Sequence, residues 1–113
     1  MKRPTENDLM KLLQNIEKGK ISITLDEKTS AHAQESENGI YFFDTSTKWR
    51  IGVFVDCGWV DYVDSISHGG TKIDYRQLQE YYPEVEEFSQ KYRTRELSEK
   101  VWGIKAKMYS EFP

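Results

Sequence analysis

One short stretch gathers the side chains of this chain best suited to chemistry. Between Trp49 and Ile66 lie the single cysteine, Cys57, and three aspartates, Asp56, Asp61 and Asp64, together with Trp49 and Trp59. A cysteine nucleophile needs a base that draws off its proton. The two histidines, His32 and His68, stand in a polar stretch and just before Gly69-Gly70, in no motif that aims either one at Cys57. Neighbouring aspartates raise a thiol's pKa instead of lowering it. The expectation is therefore a small residue filling a turn, with no catalytic residue; the alternative is a small enzyme or ligand-binding domain using Cys57 with Asp56 or Asp61. Clustered carboxylates also suit hard cations, but strand pairing separates these three, as shown below. Gly69-Gly70 belongs to no phosphate-binding loop. No metal and no cofactor is expected.

Composition narrows the classes. With 113 residues the chain makes one domain, 1-113, with one core. Its 13% aromatic content argues against disorder, although 31% of its residues are charged. A net charge of −3 provides no global field for nucleic acid or anionic membrane. A lone cysteine, a polar N-terminus and no apolar run near the roughly 18 residues of a membrane span predict a cytoplasmic protein.

The elements that must position these residues follow from periodicity. Thr5 with Asp8 reads as an N-cap, and Leu9, Leu12, Leu13 and Ile16 make one helical stripe ended at Gly19. Ile21, Ile23 and Leu25 alternate as in a half-buried strand. Residues 26–39 have no apolar period and are predicted to be a mobile polar loop. Residues 40–43 form an aromatic strand, and a four-residue turn at 45–48 leads into a hairpin.

In that hairpin, Cys57-Gly58 is a two-residue turn with positive φ at Gly58. Strict alternation then places Trp49, Ile51, Val53, Val55, Val60, Tyr62, Asp64 and Ile66 on the core face. Arg50, Gly52, Phe54, Asp56, Trp59, Asp61, Val63 and Ser65 fall on a mixed face. The four-residue turn adds Ile40 and Phe42 to the core face, and Tyr41 and Phe43 to the mixed one. Asp64 thus points away from Asp56 and Asp61, either of which is available to pair with Arg50.

After a turn at 68–70, Thr71 to Ile73 make a short strand end, and Asp74 with Gln77 forms a capping box. Leu78, Tyr81 and Tyr82 belong to the helix that follows, and Pro83 breaks it or starts the next. Thr94 caps a last helix reaching 109, with a stripe of Leu97, Val101, Ile104 and Met108 and an ion pair between Glu96 and Lys100. The class is α+β: an N-terminal helix, an antiparallel β-meander of about four strands, and two or three C-terminal helices packed on the sheet. Two arrangements are open for the mixed face: the last helix covers it as a second core layer, the simpler arrangement, or it is left exposed as a binding face.

Two surfaces stand out. Glu80, Glu84, Glu86 and Glu87 interleave with Tyr81 and Tyr82, a composition suited to a basic protein partner; Lys91, Arg93, Arg95, Lys100, Lys105 and Lys107 make the tail basic. The mixed hairpin face adds Phe54, Asp56, Trp59 and Asp61. Its neighbours are mostly acidic, which argues against direct nucleic-acid stacking. A homodimer through Tyr41, Phe43, Phe54 and Trp59 is a further possibility. Trp49, Ile51, Phe54, Asp56, Cys57, Val60, Asp61 and Tyr62 also match a Trp-x-Ile-x-x-Phe-x-Asp-Cys-x-x-Val-Asp-Tyr pattern. In this the hairpin resembles a group of small uncharacterised bacterial proteins with no known activity, and the resemblance implies a bacterial or phage source. The expected function is a non-enzymatic inhibitor from a bacterium, phage or mobile element, such as a toxin immunity protein or an inhibitor of a defence nuclease. Its partner is a protein with a basic surface, and no membrane is involved.

Overall fold

The computed structural model describes residues 3–104. Its first helix, α1 (Glu6–Glu17), begins at a complete capping box: the Thr5 hydroxyl accepts from the Asp8 amide at 3.1 Å, and the Asp8 carboxylate accepts from the Thr5 amide at 2.9 Å. Leu9, Leu12, Leu13 and Ile16 are all buried, as their spacing predicts. Each such side chain contributes about 1.5–3 kcal/mol on leaving water. Gly19, at φ +77°, turns the chain out of the helix.

The sheet is one antiparallel meander of five strands in sequence order: β1 (Ile23–Leu25), β2 (Gly39–Thr45), β3 (Trp49–Asp56), β4 (Trp59–His68) and β5 (Thr71–Asp74). The predicted count of about four falls short by one, because Thr71–Asp74 pairs with Ser65–His68 as a full edge strand.

The supposed loop at 26–39 is instead a helix, α2 (Glu27–Ser36). Asp26 caps it, accepting from the Thr29 amide at 3.1 Å. Apolar periodicity could not reveal this helix, because its buried positions are Ser30 and Ala33. It runs along β2 past the end of the three-residue β1. There the Asp26 amide donates to the Phe42 carbonyl at 2.8 Å, and the Phe42 amide donates to Ser30 Oγ at 2.9 Å. A helix thus satisfies backbone groups that an open edge would expose.

Two register details reverse several predicted orientations. The β2–β3 turn has three residues, with Lys48 at φ +67° and Asp44 opposite Arg50. One residue fewer in the turn flips the strand. Tyr41 and Phe43 are therefore buried, and Ile40 and Phe42 lie on the outer face. On β4 the pairs are Val55 with Val60, Phe54 with Tyr62, Val53 with Val63 and Gly52 with Ser65, so Asp61 and Asp64 are extra residues at two bulges. The first bulge turns Tyr62 outward and Val63 into the core, and the second restores the phase for Ile66.

The C-terminal part follows its caps. Asp74 and Gln77 form the capping box of α3 (Tyr75–Tyr81), Pro83 starts α4 (Pro83–Ser89), and a 3-10 turn spans Gln90–Arg93. Thr94 caps α5 (Arg95–Trp102), which Gly103 ends at φ +68°. The predicted extension to 109, with Lys105, Lys107 and Met108, lies beyond Ile104 and outside the described residues. Among the described residues, α5's ion pair is Arg95 with Glu99 at 3.4 Å instead of Glu96 with Lys100. Leu78, Tyr82, Val85, Tyr92 and Trp102 join Ile51, Val53, Val63, Ile66 and Ile73 in a single core. Phe43 and Trp102 meet at 5.3 Å between ring centres, so α5 packs on the same face as the other helices and forms no second layer.

Candidate interaction surface

The opposite face of the sheet carries a band of large side chains from β2 across to the start of α3. Ile40 pairs with Phe54, and Phe54 with Tyr62. The Phe54 and Tyr62 rings stack at 5.0 Å and 19°, and Tyr62 meets Tyr75 at 4.1 Å. All four are half-buried, and none of Ile40, Phe42, Phe54 and Tyr62 packs against the core. Gly52 lies under this band. A Cβ there would stand 2.6 Å from Ser65 Oγ and 3.2 Å from both Ile40 and Phe42, so glycine lets its neighbours close over the strand.

Acids rim the band. Arg50 does not pair with Asp56 or Asp61, as the unbulged hairpin allowed. It donates to Asp26 at 2.7 Å and Asp44 at 3.0 Å, and its guanidinium sits 4.8 Å from the centre of the Phe42 ring. The Arg50 hydrogen bond, aided by those from Thr29, holds the Asp26 carboxyl down at about 2. At the first bulge, Arg93 bonds both the Asp61 carbonyl at 2.6 Å and its carboxylate at 3.2 Å, covering the edge of β4 that β5 leaves free. At the second bulge, Asp64 makes no hydrogen bond or ion pair among the described residues. Burial pushes its carboxyl upward, and Lys72 only partly opposes this. Burial and the nearby Asp64 and Asp61 charges also push the Tyr62 hydroxyl up. Pairing without bulges had separated these two aspartates; the bulges set both near one tyrosine.

The acidic run on α3 and α4 divides. Tyr81 is 60% exposed, whereas Tyr82 is buried and its hydroxyl donates to the Pro4 carbonyl at 2.8 Å. Tyr82 is thus a structural residue and not a contact residue, because the turn at Pro83 swings it inward. Glu80 pairs with Arg76, and Glu84 and Glu87 are exposed. Glu86 accepts from Gln90 at 2.9 Å, and its charge, after burial, helps push up the hydroxyl of the nearby Tyr75. Tyr75 therefore joins the two predicted surfaces. Sequence reasoning did not single it out, and the signal was only its place next to the Asp74 cap.

The remaining candidates are dispersed. Trp59 is half-buried beneath the Arg95 guanidinium, 5.7 Å away. Asp56 is exposed and accepts from the Cys57 thiol at 3.5 Å, and this bond raises the thiol's pKa. Cys57 and Gly58 both have positive φ, +52° and +84°, as a type I′ turn requires. Asn38 Oδ1 and the Glu37 carbonyl accept from the turn's two amides. His68 packs on Trp49 at the far end of the hairpin, and His32 is exposed on α2. Among the described residues, no three of His, Cys, Asp and Glu converge as metal ligands, and no helix is long and apolar enough to cross a membrane. A cleft of about 610 Å³ between the β1 edge and α5 is walled by Ile23, Leu25, Phe43 and Trp102, and of the charged residues in its lining, Glu99 and Lys100, Glu99 is already paired with Arg95. In comparisons with known proteins, the chain matches no family model, no curated protein and no solved structure.

Proposed function

We propose that this chain is a non-enzymatic, cytoplasmic protein-binding inhibitor from a bacterium, phage or mobile element, of the kind represented by toxin immunity proteins and inhibitors of defence nucleases. It acts by occluding a basic surface of its partner. The observation that carries this reading is the half-buried aromatic band of Phe54, Tyr62 and Tyr75 on the outer sheet face, with Tyr75 near Glu86 of the acidic run on α3 and α4. Aromatic rings provide rigid contact area, while surrounding acids steer a cationic partner and reject anionic ones. The same acids oppose self-association through this face, and Tyr41 and Phe43, two residues of the expected dimer face, are buried in the core. Affinity capture from the source cell, repeated with Glu84, Glu86 and Glu87 changed to lysine, tests the reading. A captured partner should lose most of its affinity for the charge-reversed protein. A partner held equally well by both removes the acidic-surface argument.

A further inference from the structure

Arg50 shows what this sheet face does with a cation. Its guanidinium lies against the Phe42 ring and is held by two carboxylates, Asp26 and Asp44. Elsewhere on the same sheet face the same kinds of group recur, with no cation bonded to the carboxylate among the described residues. Phe54, Tyr62 and Tyr75 supply the rings, and Asp64 is a half-buried carboxylate with no ion pair among the described residues. The charged groups around it are Lys72 and Asp74 on β5, Asp61 beside Tyr62, and Arg93, which Asp61 already engages. We propose that the Phe54–Tyr62–Tyr75 face is the docking surface and that it takes an arginine side chain of a basic partner protein, stacked on the rings and paired with Asp64. This rests on the inhibitor reading and specifies where and how the partner is held.

Charge decides the occupant. A second copy would bring acid against acid, whereas a guanidinium stacks on aromatic faces and bonds carboxylates with several donors in one plane. A partly desolvated carboxylate left unpaired in the free protein disfavours the folded state. A partner that neutralises it gains the full attraction without first breaking an internal bond.

The full-length chain can be titrated with a short capped peptide of alternating arginine and glycine, following ring resonances by NMR. The Tyr62, Tyr75 and Phe54 signals should shift, and D64N and Y62S should each weaken binding by about tenfold. E35Q, which removes an equal charge from the exposed side of α2, should leave affinity unchanged. D64N should not lower the urea midpoint, so its binding loss cannot be attributed to unfolding. If the peptide shifts other residues, or if D64N and Y62S bind it as the parent does, the docking assignment fails. The inhibitor reading, judged by a captured partner and charge reversal on α3 and α4, would still stand. Equal affinity for the lysine counterpart would overturn the guanidinium assignment. A dimer in sedimentation that D64N tightens would give the face to a second copy and overturn the proposal.

Discussion

The bulges on β4 decide which residue of the Tyr62-Val63 pair faces a partner, and a pair of threonine substitutions tests them. Val63 is 1% exposed, in the core with Val53 and Ile66. Val63→Thr keeps the shape but puts a hydroxyl among apolar side chains, and an unpartnered buried hydroxyl costs about 2 kcal/mol. Unfolding entropy near 2.1 cal/mol/K per residue over 113 residues comes to roughly 0.24 kcal/mol per kelvin, so Tm should fall by about 8 °C. Tyr62→Thr removes the stacks on Phe54 and Tyr75 from a half-buried ring, at about 1 kcal/mol and roughly 4 °C. Strict alternation inverts the order. Tyr62 would then be a core ring costing about 3–5 kcal/mol to truncate, and Val63→Thr would be close to neutral on a solvated strand face. Calorimetry or urea unfolding of the two variants separates the cases. If V63T is the milder substitution, the bulged register and the surface built on it are wrong.

Three further outcomes follow from particular contacts. G52A should destabilise by about 1–3 kcal/mol in urea unfolding, because Ile40 and Phe42 must move. Adding S65A, which removes the nearest atom, should restore part of that loss as a measurable coupling. Ser98 is buried, accepts from the Val60 amide at 3.3 Å and donates to the Ile104 carbonyl at 3.2 Å. S98A leaves both groups without that partner, and thermal unfolding should report a loss of about 1–3 kcal/mol. The Asp26 carboxyl is depressed from 3.8 unfolded to about 2 folded, so its stabilisation is complete above the unfolded value and is lost as pH falls through the folded one. Urea midpoints should therefore drop between about pH 4 and 2, and D26N should flatten that drop. An unchanged acid profile in D26N would refute the role given to Arg50.

Much of the fold was legible because local chemistry dictates it. Thr5 with Asp8, Asp74 with Gln77, Thr94 and Pro83 satisfy or remove the free amides of a helix start wherever they occur, so the structure has helix starts at all four. The stripe from Leu9 to Ile16 and the tight turn at Cys57-Gly58 are local in the same sense. Helix α2 was hidden because, although its Asp26 cap is local, its buried positions are Ser30 and Ala33 instead of an apolar stripe, and Ser30 finds its partner on β2, out of reach of periodicity.

The sequence by itself determined the α+β class, the helix starts, the turn cysteine and the supply of acids and aromatics. Only the tertiary structure decided which of those residues share a surface. Side-chain direction on a strand has a period of two, so one residue fewer in the turn before Trp49 exchanged Tyr41 and Phe43 with Ile40 and Phe42. One extra residue at Asp61 exchanged Tyr62 with Val63, and a second at Asp64 reversed the exchange. Neither a turn length nor a bulge is written in hydrophobic alternation. Each is set by what pairs across the sheet and packs beneath it, and so Tyr75, Tyr62 and Asp64 meet only in the folded chain.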